Sequence, residues 1–390
     1  MRAAPKTWVV YLVIALLAGA NVAYLSTLLI GHSYPCDFEV YRLAGHSIVH
    51  GVSIYDTLTT GCHLKFTYTP FAAVIFAPFS FLGPAAFAVW TALSLIALWR
   101  VVKLLLSRSA VRISGVTVTQ LAALIVLLVL PLEPFVKTLW YGQVNVLLMW
   151  LIVESFFGPA KRFNPMFLAI ATAMKITPAV FALFFITVRT NRDRLLLLLT
   201  GLTTVALGIV IEPHQAINYW TKLLFNADRV GPTEYVYNQS INGMLWRIFG
   251  DGGLRTLWLI LVIVILVSGF VVAHIMWRSN QQVWAVGVIG LTTLLISPIS
   301  WSHHYVVILI VLIALLQDAK RQRTSGILAL GTYAIMLAAN VVFKRVPHTK
   351  HAEFNLHGWR VVASNQYVIL ALVLLAYSAL QSRRLYQEAI

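Results

Sequence analysis

Asp37 and Glu39 stand two residues apart in the run Asp37-Phe38-Glu39-Val40-Tyr41-Arg42, in a chain with only 13 acidic side chains against 29 lysines and arginines. A carboxylate at a membrane surface, positioned and partly desolvated, accepts a proton from a substrate hydroxyl. The competing reading is an interfacial acid solvated in a loop and paired with Arg42. At i, i+2 the two acids share one side of an extended segment, but two carboxylates specify a divalent ion only weakly, and no metal is expected. Tyr141-Gly142-Gln143-Val144-Asn145 opens an apolar helix. Its Gln143 and Asn145 amides either bind sugar hydroxyls or bond neighbouring helices. Lys175 lies in an apolar stretch, where an ammonium costs about 3 kcal/mol and needs a partner. That partner is either a substrate phosphate or an acid such as Glu133, Glu154 or Glu212.

Further along, Ser300-Trp301-Ser302-His303-His304-Tyr305 begins an apolar run. Adjacent helical histidines point about 100° apart, so the pair is a poor joint metal site. One ring donates to a phosphate oxygen while the other packs, or both are structural. A basic segment holds Lys344, Arg345, His348, Lys350, His351, His357 and Arg360, and Asn238-Gln239-Ser240 has the form of a glycosylation sequon. Cys36 and Cys62 fall in the first polar loop, either bridged or as two thiols. No Gly-rich phosphate loop, Ser-His-Asp spacing or Cys/His zinc array is present, which leaves cytoplasmic nucleotide-sugar chemistry without support.

The elements that must position these residues belong to a membrane. Of 390 residues 59% are hydrophobic and 11% charged, with a mean hydropathy of +0.82, which no water-soluble domain can cover. The net charge of +16 marks topology rather than a nucleic-acid partner, because basic residues resist translocation. Apolar stretches run over 8–30, 84–107, 115–131, 138–157, 165–188, 194–212, 254–277, 282–298, 302–317, 325–343 and 365–382. The first is a retained span, although Ala18-Gly19-Ala20 resembles a cleavage site. Basic loops at Lys161-Arg162, Arg189 to Arg194, Arg278, Lys320 to Arg323 and Arg383-Arg384 are expected in the cytoplasm with both termini. The stretch 66–82, with Pro70 and Pro78, reads as re-entrant or juxtamembrane, and 165–188 as two half-helices meeting near Lys175. With no internal repeat, residues 1–390 form one expected membrane domain, with outer loops at 31–66, 213–250 and 344–364. The last is a basic outer loop, against the charge rule unless it meets an anionic headgroup.

Taken in order, Asp37-Phe-Glu-Val-Tyr-Arg-Leu-Ala-Gly, Tyr68-Thr-Pro-Phe-Ala-Ala, Gly142-Gln-Val-Asn, Lys175-Ile-Thr-Pro and Ser297-Pro-Ile-Ser-Trp-Ser-His-His resemble glycosyltransferase family 87. These are membrane mannosyltransferases of the GT-C superfamily, known chiefly from mycobacteria and corynebacteria. The resemblance runs from residue 37 to about 305 and departs at Thr69, where a second proline is more usual. It implies an all-α polytopic GT-C fold of about 10–12 transmembrane helices in the plasma membrane, with the active site on the periplasmic side. It also implies transfer of mannose, without a cofactor, from polyprenyl-phosphate-mannose to the 2-hydroxyl of a phosphatidylinositol mannoside or lipomannan. In that scheme Asp37 is the base and Lys175 with His303 or His304 binds the donor phosphate. Gln143 and Asn145 orient sugar hydroxyls, and Glu39, Tyr41, Arg42, Asn238 and Trp301 are candidates to bind sugar or acceptor. Contact of Lys344 and Arg345 with acceptor phosphoinositol is an inference from their charge. A transporter or flippase of an anionic lipid or sugar phosphate is the alternative from another class, and a non-catalytic envelope scaffold is a third.

Overall fold

The computed structural model describes residues 7–29, 35–56, 59, 62–226, 229–250, 254–348 and 351–388. Among these, all regular structure is α-helix with short 3-10 turns, and a single bridge pairs Asn238 with Trp301. The all-α expectation therefore holds. The chain divides into two compact units. One comprises Met1–Leu28, Trp99–Val136 and Pro232–Ile390, and the other Leu29–Leu98 and Lys137–Gly231.

In the larger unit the core is the helix Gln282–Ile296, buried on every side from Val283 to Leu295 because it carries no polar face. The helix Ile308–Asp318 is likewise buried from Ile308 to Leu315. Against the first lies Arg255–Arg278. A Cβ at Gly269 would stand 2.1 Å from Thr292 Oγ1, so glycine lets the two backbones approach. The outer face of Arg255–Arg278 exposes Leu259, Ile260, Ile263, Val264, Val267 and Val271, an apolar surface that suits hydrocarbon. The smaller unit contains Cys36–His50, Pro70–Phe76, Asn145–Phe157, Asn164–Met174, Ala179–Val188, Asn191–Ile211 and Pro213–Thr221.

Among the described residues, five helices are long and apolar enough to cross a membrane, and six if the pair Val118–Val129 and Glu133–Tyr141, bent by 83°, is one span. Shorter apolar helices account for the higher count expected from hydropathy. The stretch 165–188 does break, ending one helix at Met174 and starting the next at Ala179. Pro178 at the head of the second helix cannot donate into a continuous ladder. Expected as one span, 138–157 is instead divided at Gly142, whose φ of +66° is a left-handed conformation that ends the helix Glu133–Tyr141.

Two further readings are corrected. The polar loop after residue 31 contains a 15-residue helix, Cys36–His50, buried along Phe38, Tyr41, Ala44 and Gly45 and closed by Gly51 at φ 63°. A Cβ at Gly45 would lie 2.6 Å from the Phe76 carbonyl, so this helix crosses Pro70–Phe76 in close contact. On a helix, Asp37 and Glu39 point about 200° apart, and the shared side of an extended segment does not exist. Lys344 and Arg345 are not loop residues either. They form the last turn of Arg323–Arg345, where cations complement the helix dipole.

Candidate active site

Asp37 is the second residue of the helix Cys36–His50, which has Pro35 as its N-cap. Cys36 beside it is disulfide-bonded to Cys62, with Cα atoms 5.9 Å apart, so the first turn is tethered across 26 positions of chain. Phe38 and Tyr41 anchor the helix in an aromatic cluster. Phe38 packs with Phe79, Phe87 and Trp90, and Tyr41 stacks on Phe76 with ring centroids 4.4 Å apart. Aromatic burial of this extent fixes the side from which Asp37 projects.

Gly142 brings Gln143 to the same place. A Cβ there would fall 2.6 Å from that of Phe38, so the Gly-Gln-Val-Asn turn and the Asp37 helix touch through the missing side chain. Gln143 is 5% exposed. Its Oε1 accepts from the Tyr41 hydroxyl at 2.8 Å and from the Tyr68 hydroxyl at 3.2 Å, and the two hydroxyls are 2.8 Å apart. With the oxygen so occupied, the amide NH2 is directed to the carboxylate of Asp37, to which Gln143 is hydrogen-bonded. Burial pushes the Asp37 carboxyl up to about 6. The Gln143 hydrogen bond and the positive charge of Lys175 pull it down and do not overcome the loss of water.

Lys175 occupies the break between its two half-helices. Nζ lies 3.5 Å from Asn145 Oδ1 and 5.3 Å from the centre of the Tyr68 ring. Its charge interacts with Asp37, an acid outside the three suggested by sequence. Among those, Glu154 accepts from Trp150 at 3.1 Å, Glu212 from Gln215 at 2.7 Å, and Glu133 from Ser302 and Tyr367 at 2.7 and 2.9 Å. Thr69 explains its departure from the usual proline. Its hydroxyl donates to the Ala173 carbonyl, two residues before Lys175, and accepts from Ala72 N at 3.2 Å, capping Pro70–Phe76. The smaller unit thus gathers Asp37, Tyr41, Tyr68, Gln143, Asn145 and Lys175. Glu39, on another side of the helix, is buried, and Arg42 is half-buried.

The other predicted residues lie in the larger unit. His303 is buried and His304 half-buried on the 3-10 turn Ser302–Val307, with ring centroids 5.0 Å apart and planes at 86°. Asn238 is completely buried, and its amide bonds four backbone groups. Oδ1 accepts from Ser240 N and Ser300 N at 3.3 and 2.9 Å, while Nδ2 donates to Thr233 O and Pro298 O at 2.8 and 3.4 Å. All its hydrogen-bonding capacity is therefore spent on holding the loop 233–240 to the segment 298–301. Trp301 is half-buried on that bridge, and Lys344 and Arg345 are exposed.

Sequence reasoning missed a second buried knot. Arg247 Nη1 donates to the carbonyls of Glu234, Tyr235 and Asn238 at 3.2, 3.0 and 2.9 Å, and Nε and Nη2 donate to Asn365 Oδ1 at 3.1 and 2.7 Å. Gln239 donates to the Val236 and Ser364 carbonyls and accepts from Tyr367 N. The one signal available was an arginine inside the apolar helix Ile241–Phe249, which must be paired where it is buried. Tyr68 was visible only as part of a motif.

Apolar helices of crossing length mark a multi-pass membrane protein, and its smaller unit groups a carboxylate with an amide and an ammonium. Residues 66–298 match the model of glycosyltransferase family 87, and the chain belongs to that family. It is 30% identical over 95% of its length to a polyprenol-phosphate-mannose-dependent alpha-(1-2)-phosphatidylinositol mannoside mannosyltransferase of Mycobacterium tuberculosis, covering 91% of that protein. A Mycolicibacterium smegmatis protein of the same description is 31% identical over 95% of this chain and 89% of its own. A phosphatidylinositol pentamannoside mannosyltransferase of Mycobacterium tuberculosis is 32% identical over 82% of this chain and 75% of its own.

Proposed function

We propose that the protein is an inverting mannosyltransferase that moves mannose from polyprenyl-phosphate-mannose to the 2-hydroxyl of a mannosylated phosphatidylinositol or lipomannan at the outer face of the membrane. The observation that carries this reading is the grouping of Asp37, Gln143 and Lys175, supported by the activities for which the mycobacterial relatives are named. Asp37 takes the acceptor proton as the hydroxyl oxygen attacks the anomeric carbon. The new C–O bond forms as the bond from that carbon to the phosphate oxygen breaks, turning a β-linked donor into an α product. The polyprenyl phosphate leaves.

A base held at about 6 suits this work. It is ionised at neutral pH, yet close enough to that pH to hold the proton it receives. Lys175 stabilises the charge growing on the leaving phosphate. Asn145, beside Lys175, orients a sugar hydroxyl. The donor-phosphate role of His303 and His304 rests on the family resemblance alone.

Sealed vesicles containing the purified chain, polyprenyl-phosphate-[14C]mannose and a mannosylated phosphatidylinositol test the reading. Radiolabel in an α-1,2 glycosidic bond on the acceptor, formed where the acceptor is confined to the leaflet bearing Cys36 and Cys62, is the expected result. Movement of intact donor across the bilayer with no new bond would establish a transporter instead.

A further inference from the structure

The buried knot of the larger unit holds a group of rings at its surface. Tyr235 lies at the centre of that group, with ring centroids 5.4 Å from Tyr237, 6.0 Å from Trp301 and 5.9 Å from His348, and Tyr237 is 5.9 Å from His348. All four side chains are half-buried, and most of their supports are fully buried. Asn238 and Gln239 follow the two tyrosines directly, Asn238 pairs with Trp301, and Arg247 binds the carbonyls of Glu234, Tyr235 and Asn238. Tyr237 packs behind on Phe343, 5.1 Å away.

Burial lowers Arg247 to about 9, which still leaves the guanidinium charged at neutral pH. A guanidinium taken out of water to bind loop carbonyls gains little stability for the fold and fixes the loop. The loop's half-buried rings are accordingly preorganised. Burial raises the Tyr237 hydroxyl to about 12, leaving it a neutral donor and acceptor. His348 Nδ1 lies 2.6 Å from the Val346 carbonyl, which can only accept, so Nδ1 is the donor in that bond. Lys344 and Arg345, both exposed, end the helix that leads into His348.

We infer that Tyr235, Tyr237, Trp301 and His348 form a stacking platform for a pyranose of the acceptor glycan, with Lys344 and Arg345 at its rim for the acceptor's phosphate. A sugar presents an apolar C–H face and a hydroxyl edge. Ring faces beside phenolic OH and imidazole nitrogen complement both, and the two cations select a sugar attached to an anionic headgroup. This inference rests on the proposed transfer reaction for the identity of its ligand and goes beyond it in placing acceptor recognition on Tyr235 and Tyr237, which no motif singled out, and on His348, which the sequence marked only as part of a basic segment.

The experiment measures equilibrium binding of the detergent-purified full chain to mannosylated phosphatidylinositol and to phosphatidylinositol without mannose, for wild type, Tyr235→Leu, Tyr237→Ala and Tyr237→Phe. Unchanged thermal midpoints show that the variants fold, and Tyr237→Phe serves if Tyr237→Ala does not. Wild type is expected to prefer the mannosylated lipid by about tenfold or more, worth about 1.4 kcal/mol. Tyr235→Leu and Tyr237→Ala should lose most of that preference, and Tyr237→Phe, which keeps the ring, most of it should retain. A wild type with no preference, or variants that keep it in full, would overturn the platform. Equal weakening toward both lipids would overturn it too, since that is the behaviour of a membrane-interface aromatic belt. If wild type makes no product yet binds with the expected preference, the transfer reading fails and the platform stands. Normal Asp37-dependent transfer with an unaffected preference in the variants fails the platform alone.

Discussion

The two units of this protein bury polar groups for opposite ends. In the larger one, Arg247, Asn238, Gln239 and Asn365 are engaged with backbone carbonyls, amides and one another, so each desolvated atom has a fixed partner within the fold. In the smaller one, Asp37 loses water and receives too little in return, and its carboxyl rises to about 6. Burial shifts Arg247 and Asp37 alike toward the neutral form. The difference is completion. A satisfied buried network specifies a loop conformation, while an under-compensated charge is one that a substrate can complete.

Replacing Asp37 with Asn should give the largest effect. Transfer should fall about 10²–10⁴-fold with loss of the general base, while the fold is unharmed. The sign of the stability change sharpens the comparison. Because the folded carboxyl is raised, the folded chain holds more protons than the unfolded one between pH 4 and 6, and this group costs stability as pH rises through that window. Asp37→Asn should therefore melt no lower than wild type at pH 7.5, with the difference shrinking toward pH 4. Lys175→Met should come next, reducing kcat about 10²-fold through lost stabilisation of the departing phosphate.

Arg247→Ala should do the reverse of Asp37→Asn, lowering the melting temperature because the carbonyls of Glu234, Tyr235 and Asn238 lose this donor, a cost of about 3 kcal/mol for buried acceptors left unpaired. Reduction of the Cys36–Cys62 bridge is expected to cost about 2–4 kcal/mol, read as a lower melting temperature that reoxidation restores. The smallest effect belongs to Gln143→Ala. Removing a hydrogen bond that favours the carboxylate should move the acid limb of the rate profile to higher pH, with wild type half-active near pH 6. A limb that stayed in place would separate Gln143 from Asp37.

The helical class, the break at Lys175 and the Asp37, Gln143, Asn145 and Lys175 cluster were legible because hydropathy and motif order are properties of the chain itself. The helix Cys36–His50 was obscured by polar Arg42, His46 and His50 on its outer side, which made a surface helix look like a loop although Phe38, Tyr41 and Gly45 already had helical spacing. The division of 138–157 at Gly142 needed a backbone conformation that sequence only permits. Arg247 with Asn365, and Gln143 with Tyr68, depend on residues 118 and 75 positions apart. Periodicity within one segment carries no information about such pairs.

The most direct test is radiolabel transfer by purified wild type and Asp37→Asn from polyprenyl-phosphate-mannose to a panel of mannosylated phosphatidylinositols, at pH 7.5 and matched thermal stability. Product from wild type, with at least a hundredfold loss in the variant, is the predicted result. Equal product from both would remove Asp37 as the base and contradict the account at its centre.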